Sequence, residues 1–200
     1  NLIIDSRMAW HFVPSSFSVY MAADSYVSAE RILKAGRESE PFKTVEEAVA
    51  SISDRRKSEM FRYSHLYGVN IKDLENYDYV IDTSYIPPEI VAEHIAAHFV
   101  LHRAGKQYPR YELCPARLLP CLSGEGEPAF FEQDGFYFIA RGEREIAEAI
   151  RAGAPLVSCA RAQGEYGEEC AKKHCTSDKI AAWERETGAK IARLPAWLKR

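Results

Sequence analysis

Residues 54–63 read Asp-Arg-Arg-Lys-Ser-Glu-Met-Phe-Arg-Tyr, and Tyr-Asp-Tyr-Val-Ile-Asp-Thr-Ser follows at residues 77–84. The first stretch is a helix end rich in cations, in which Arg55 and Arg62 are two helical turns apart. Guanidinium groups on one helix face can bind phosphate oxygens bidentately and stay charged at any working pH. The same charges also suit a solvated, salt-bridged face, because Glu59 can neutralise part of them.

Apolar periodicity on both sides of this stretch predicts an α/β fold. Buried strands are expected at residues 2–4 and 17–23. A capping-box pattern at Thr44 begins the helix that carries the arginines. The short apolar strand at residues 79–81 precedes an amphipathic helix over residues 88–103. Ligand groups collect at the carboxyl ends of strands in such sheets.

The order of these pieces resembles the last third of the cytidylate-kinase-like nucleoside monophosphate kinases. A charged helix, an apolar strand ending in Asp-Thr-Ser and a helix opened by Pro-Glu follow one another, and the resemblance extends back to residues 3–7. It implies a partial P-loop kinase-like parallel sheet with helices over residues 1–103. It also implies phosphoryl transfer from ATP to a pyrimidine monophosphate such as CMP or dCMP, with Mg²⁺ as cofactor.

The resemblance assigns roles to three arginines. Arg55 and Arg62 match catalytic lid arginines that hold the transferring phosphoryl group and the donor phosphates. Arg7 matches the arginine that contacts the monophosphate acceptor, and Asp5 is placed with it on the substrate side as a hydrogen-bond acceptor or cap. Phosphoryl transfer depends mainly on charge placement, so arginines that converge on one point suit this chemistry.

The phosphate-binding loop of such kinases has the pattern Gly-x-x-x-x-Gly-Lys-[Ser/Thr], which cradles the nucleotide phosphates. This pattern does not occur in residues 1–200. Either the loop lies upstream of Asn1 in a longer parent, where the missing segment would be an intramolecular partner, or the domain is a degenerate relative that no longer transfers phosphate. The start at Asn1, directly before an apolar run, favours the first alternative. This chain alone is therefore expected to be inactive.

The second half of the chain, residues 104–200, is predicted to be a small α+β domain with a C-terminal helical extension. Its stretch Arg-Gly-Glu-Arg at residues 141–144, after a predicted strand, resembles the Gly-Glu-Arg-Arg box of ParB-like domains, which share the sulfiredoxin-like fold. The resemblance implies a nucleotide-binding helix N-terminus formed by Gly142, Glu143 and Arg144. A helix merely well supplied with Glu/Arg pairs is the structural alternative.

Two groups of metal-ligating residue types remain. Three histidines recur at helical spacing and could bind a metal, but no acidic partner is evident and a solvated face is the preferred interpretation. They are His94, His98 and His102. Four further residues have a spacing that fits no standard zinc motif. They are Cys159, Cys170, His174 and Cys175. No metal site is assigned.

Composition narrows the class of protein. The net charge of −3 argues against a general nucleic-acid or membrane-surface binder, and no apolar run has the length of a membrane span. Five cysteines without disulfide-scaffold spacing indicate a reducing, cytoplasmic setting. The resemblance to the kinases implies nucleotide substrates as partners.

The preferred interpretation is a nucleoside monophosphate kinase-like protein with a ParB-like nucleotide-binding accessory domain. A non-catalytic nucleotide-binding or regulatory module is the competing class. A third alternative is small-molecule kinase activity in the ParB-like half, with Glu143 as the candidate base.

Overall fold

The computed structural model describes residues 2–36 and 42–198, and its fold is α/β, as the sequence predicts. Packing divides the chain into two units, Asn1–Val80 and Ile81–Arg200. This division falls within one β-strand. The predicted domain boundary at residues 103/104 lies inside the second unit, between a helix and a strand, and stays a prediction.

Helices dominate the first unit, and its last strand, β2, crosses into the second. The elements are α1 (Ala9–Phe12), β1 (Val19–Ala22), α2 (Ser25–Ala35), α3 (Val45–Tyr67), a 3₁₀ turn (Leu74–Asn76) and β2 (Tyr79–Asp82). Strand β1 lies beside β2. The side chain of Asp78 fixes the approach to β2, since one of its oxygens accepts hydrogen bonds from both the backbone N–H and the hydroxyl of Ser18, each at 2.7 Å.

Helices α2 and α3 pack through small and branched apolar side chains. Ala29 and Ala48 are fully buried at their contact, together with Ile52. Asp24 caps α2 by accepting from the backbone N–H of Tyr26 at 2.8 Å. The sequence spacing predicts that the apolar residues at positions 45, 48, 49 and 52 form one face of α3, and these contacts confirm it.

The predicted buried strand at residues 2–4 is wrong. These residues have no regular secondary structure, and Leu2 and Ile3 are 84% and 96% exposed. A strand needs a hydrogen-bonding neighbour, and a three-residue apolar run carries no periodicity that could indicate one. The polar composition of residues 37–43 predicts a loop, most of which lies outside the described residues.

The second unit is an α+β arrangement around five strands in the order β3-β7-β5-β6-β4. Its elements are α4 (Pro88–Arg103), β3 (Tyr111–Leu113), a 3₁₀ turn (Pro115–Arg117), β4 (Leu118–Leu119), β5 (Ala129–Gln133), β6 (Phe136–Arg141), α5 (Glu143–Arg151), β7 (Val157–Arg161), α6 (Glu168–His174) and α7 (Ser177–Thr187). The sheet is mixed. The pairs β3–β7 and β5–β6 are antiparallel, whereas β4–β6 and β5–β7 are parallel.

A tight hairpin joins β5 to β6 through Asp134 and Gly135, both of which have positive φ angles (52° and 78°). This Asp-Gly pair is the turn chemistry that two-residue hairpins prefer. The predicted helices and strands at residues 88–103, 136–140 and 177–187 are confirmed as α4, β6 and α7. The sequence predicts a loop over residues 163–176, and this prediction is wrong for the part that forms α6.

The core of the second unit consists of large apolar side chains from its central strands. Phe130, Phe138, Ile139, Leu113 and Leu118 are all at most 1% exposed. None of the helices in the described part of the chain combines the length and the apolar character needed to cross a bilayer.

Candidate functional site

The predicted phosphate-binding arginines lie on α3, which begins at Thr44. The Thr44 hydroxyl accepts from the backbone N–H of Glu47 at 3.2 Å, and the Glu47 carboxylate accepts from the backbone N–H of Lys43 at 2.9 Å. These bonds satisfy backbone donors that have no partner inside the helix. Arg55 and Arg62 follow on the exposed later turns of the same helix.

Arg55 and Arg62 continue the stripe of α3 that is buried in its first half. Ala48 and Ile52 belong to the core, and steps of three and four residues lead from Ile52 to Arg55, Glu59 and Arg62. At 3.6 residues per turn, each such step moves the side chain by about 60° or 40° around the helix, so Arg62 lies about 80° from Ile52. This side of α3 thus changes from buried and apolar to charged, and both arginines on it are exposed.

Glu59 brings Arg7 to this charged part of the stripe. An Nη1–Oε1 distance of 3.0 Å joins the two side chains, and Glu59 is only 8% exposed whereas the Arg7 side chain is 55% exposed. The Arg7 backbone carbonyl accepts from the Trp10 indole N–H at 3.1 Å, which helps to hold the segment in place. We call Arg7, Arg55 and Arg62 the arginine face.

The sequence does not indicate this role for Glu59, because a solvated helix face accounts for Asp54 and Glu59 alike as acids that neutralise part of the neighbouring positive charge. The position of Glu59, four residues after Arg55 and three before Arg62, was the available signal. Asp5 lies in exposed coil two residues before Arg7, and its assignment to the substrate side stays a prediction.

The predicted site of the second unit surrounds the N-terminus of α5. Gly142 has a φ of 71°, and a Cβ there would lie 2.6 Å from the Cα of Pro128, so only glycine fits. The Glu143 carboxylate is 3.5 Å from the Lys179 ammonium group on α7. Arg144 is exposed and pairs with Glu145 at 2.8 Å, which raises the pKa of Arg144.

A buried ion pair includes the last residue of β2. Asp82, which is fully buried, accepts from Arg117 Nη1 at 3.1 Å, and the hydroxyl of Ser84 lies 3.2 Å from the same nitrogen. The other Arg117 amino group donates to the Gly135 carbonyl at 2.9 Å, and the guanidinium lies 4.5 Å from the centre of the Tyr137 ring. These groups bind both amino nitrogens of the Arg117 guanidinium. Arg117 therefore has a structural role in this unit.

The structure changes the interpretation of the histidines. His98 is 6% exposed, so the prediction that the three histidines form a solvated face is wrong for that residue. His102 has a different hydrogen-bond partner from the other two histidines, because its Nδ1 lies 2.9 Å from the Tyr108 hydroxyl. Within residues 2–36 and 42–198, one group of three possible metal ligands converges, namely His94, His98 and Glu112.

Part of the chain is similar to nucleotide enzymes. Over 90 residues, 44% of this chain and 47% of the relative, it is 39% identical to a cytidylate kinase of Pyrococcus abyssi. Over 95 residues, 46% of the chain and 50% of the relative, it is 39% identical to a cytidylate kinase of Sulfolobus acidocaldarius. The chain thus spans about half the length of these curated relatives.

A third relative has a different activity. The chain is 31% identical over 109 residues to an S-adenosylmethionine-dependent nucleotide dehydratase of Lacinutrix mariniflava, which corresponds to 54% of this chain and 22% of that protein. No protein-family model matches the chain. No solved structure matches it either. The comparisons therefore support a cytidylate-kinase-like region within an α/β protein.

Proposed function

We propose that the chain is part of a nucleoside monophosphate kinase-like protein and that its arginine face binds nucleotide phosphates. In the intact protein the reaction would be phosphoryl transfer from ATP to CMP or dCMP, with Mg²⁺. One observation carries the proposal. The stripe of α3 that begins in the core continues to Arg55 and Arg62, and Glu59, which lies between them in the sequence, pairs with Arg7.

The direction of this stripe distinguishes a ligand site from a solvated helix face. Cations that only keep a helix soluble lie on the side away from the core. Arg55 and Arg62, although exposed, instead follow Ala48 and Ile52 along one side of α3 and flank Glu59, which is buried. Several guanidinium groups in one place favour a ligand with several negative oxygens.

In the proposed reaction Arg55 and Arg62 stabilise negative charge on the transferring phosphoryl group, and Arg7 holds the acceptor phosphate with Asp5 nearby. Mg²⁺ would neutralise charge on the donor phosphates. The residues of this chain would bind the nucleotides and place positive charge around the transferring phosphoryl group. The names of the relatives support a nucleotide ligand, because the kinases are named for cytidylate and the dehydratase is named for a nucleotide.

Calorimetry with CMP tests the binding proposal on this chain. Arg55→Gln and Arg62→Gln are expected to weaken CMP binding by about tenfold each, since each removes a charge-assisted contact. Lys57→Gln is the matched control. It removes one positive charge from an exposed position on the opposite side of α3, about 140° around the helix from both Ile52 and Arg62, and is expected to change affinity less than twofold.

Equal losses in all three variants would mean that net charge, and not a site, attracts the nucleotide. Cytidine that binds as tightly as CMP would also contradict the proposal. Turnover is tested separately, by coupled detection of ADP release from the intact parent protein with ATP and CMP, dCMP or UMP. Binding without turnover on any of these would favour the non-catalytic nucleotide-binding module.

For the second half we propose a ParB-like accessory nucleotide site at the N-terminus of α5, formed by Gly142, Glu143 and Arg144. Lys179 supports it, because its ammonium group adds a cation beside Glu143. Arg144→Ala is expected to abolish calorimetric binding of CTP or ADP to this half. Arg151→Ala, at the other end of α5, is the control and should leave that binding intact.

A further inference from the structure

We propose that His94, His98 and Glu112 form a binding site for one divalent transition-metal ion, with zinc as the best match. One possible ligand atom from each side chain lies within 4.8 Å of the others. His94 and His98 are one turn apart on α4, and Glu112 is the middle residue of β3. All three belong to the second unit, so the proposal does not depend on the arginine face.

The ring of His98 is oriented as in a metal ligand. Its Nδ1 lies 2.7 Å from the backbone carbonyl oxygen of His94, so this nitrogen carries the proton and donates it. In the neutral ring the lone pair is then on Nε2, which lies 4.0 Å from Glu112 Oε2. Histidines that bind metals commonly donate their second ring nitrogen to a carbonyl or carboxylate, which fixes this tautomer.

The second imidazole approaches the same carboxylate oxygen. His94 Nδ1 is 2.7 Å from Glu112 Oε2, and the two imidazole rings are nearly parallel, with an angle of 15° between them. Around tetrahedral zinc the ligand atoms lie about 2.0 Å from the ion and therefore roughly 3.3 Å from one another. The observed distances of 2.7 and 4.0 Å lie on either side of this value, so small side-chain rotations suffice.

Two of the three side chains are buried, which favours an ion at this site, and the third is partly exposed, which leaves one side open for its entry. The side chains of His98 and Glu112 are 8% and 9% exposed, whereas that of His94 is 28% exposed. A buried carboxylate is costly unless a positive charge compensates it. Glu112 is further held by the hydroxyl of Ser158, its register partner on β7, at 3.5 Å from Oε1. An ion could enter beside His94, with water as its fourth ligand.

The donor set selects the metal. Two imidazole nitrogens and one carboxylate oxygen suit zinc, cobalt or nickel, whereas Mg²⁺ and Ca²⁺ prefer oxygen ligands alone. A protonated His94 paired with Glu112 would satisfy the same contact without a metal. That arrangement is the alternative which the experiment must separate from the proposed site.

Titration of the reduced chain with Co²⁺, followed by visible absorption, tests the site. We expect one ion per chain, with the intense ligand-field bands of a tetrahedral nitrogen–oxygen site. Glu112→Gln keeps the size of the side chain but removes its charge, and His98→Gln removes one ligand. Each is expected to weaken Co²⁺ binding more than about tenfold, since even second-shell partners are worth that much. Zn²⁺ should displace the cobalt.

His102→Gln is the matched control, because it lies on the same helix but bonds Tyr108. It should leave Co²⁺ affinity within twofold of the parent. His94→Gln, at the more exposed ring, covers the case in which a buried variant fails to fold. Equal cobalt binding in all variants, thiolate charge-transfer bands from cysteine, or no binding by a folded chain would each overturn the proposal.

Discussion

Asp82 is a carboxylate with no exposure to solvent, and its charge is compensated by Arg117. Such a pair is not in itself a large source of stability, because both groups lose their hydration. Removing one partner is costly, however, since the other charge then stays buried and unpaired. The guanidinium also satisfies the Gly135 carbonyl at the β5–β6 turn.

Arg117→Met is therefore expected to lower the free energy of unfolding by about 3–5 kcal/mol. Urea denaturation followed by circular dichroism measures the change. Arg103→Met is the control, because Arg103 is exposed and its guanidinium lies 5.7 Å from the centre of the Phe99 ring. Its cost should not exceed about 1 kcal/mol. Equal costs would show that Asp82 finds compensation elsewhere.

Gly142 gives a second test at the scale of one residue. Gly142→Ala would need a left-handed backbone and a Cβ 2.6 Å from a backbone atom of Pro128, so we expect a loss of about 2–4 kcal/mol. Gly153→Ala, just after α5, has a similar φ of 77° but open space around it. Its cost should be about 1 kcal/mol. A loss at Gly142 no larger than at Gly153 would contradict the steric argument.

Among the elements, α3 joins the core of the first unit to the proposed site. Its start was predictable from the sequence, because the capping box and the apolar spacing are local signals. The burial of Glu59 was not, since it depends on Arg7, which is 52 positions away along the chain. Local patterns indicate which residues share a face but not which distant segment covers it.

Thr44→Ala should shorten the start of α3 and lower the free energy of unfolding by about 1 kcal/mol, because the Glu47 backbone N–H loses its acceptor. Thermal or urea unfolding of the two proteins measures this. Ser51→Ala, exposed in the interior of the same helix, serves as the reference and should change stability by less than about 0.5 kcal/mol. A neutral Thr44→Ala would mean that the Glu47 side chain alone caps the helix.

The strands were less predictable than the helices. Strand β6 has an apolar run long enough to recognise, whereas β3 and β4 have only three and two residues and gain their identity from pairing with β7 and β6. The same limitation affected the metal ligands. The histidine spacing was visible in the sequence, but Glu112 joins it only because β3 passes beside α4.

At the scale of the whole molecule, the cysteines report on packing. None of the five forms a disulfide, and four are buried. Burial raises the pKa of Cys114 from 9.0 to about 11 and the pKa of Cys159 and Cys175 to about 12. It likewise raises the pKa of Cys121 to about 12. These thiols therefore stay protonated in the folded protein at moderately alkaline pH.

We expect one thiol, Cys170, to react quickly with a disulfide reagent at pH 8, while the other four react at the rate of unfolding. The folded state holds its thiol protons to a higher pH than the unfolded chain does. The free energy of unfolding should therefore fall as the pH rises from about 9 towards 12. The rate at which the disulfide reagent is consumed measures the reactivity of the thiols, with Cys170→Ser as the control. Two or more rapidly reacting thiols would contradict this prediction.

The contact between Asp82 and Arg117 has a consequence for any attempt to dissect the chain. A cut at residues 103/104, where the sequence suggested a boundary, would leave the acid on one fragment and its base on the other. It would also separate His94 and His98 from Glu112. Each fragment would then carry charged or metal-ligating side chains whose partners lie on the other fragment. Fragments made at this point should therefore recover their structure only when mixed.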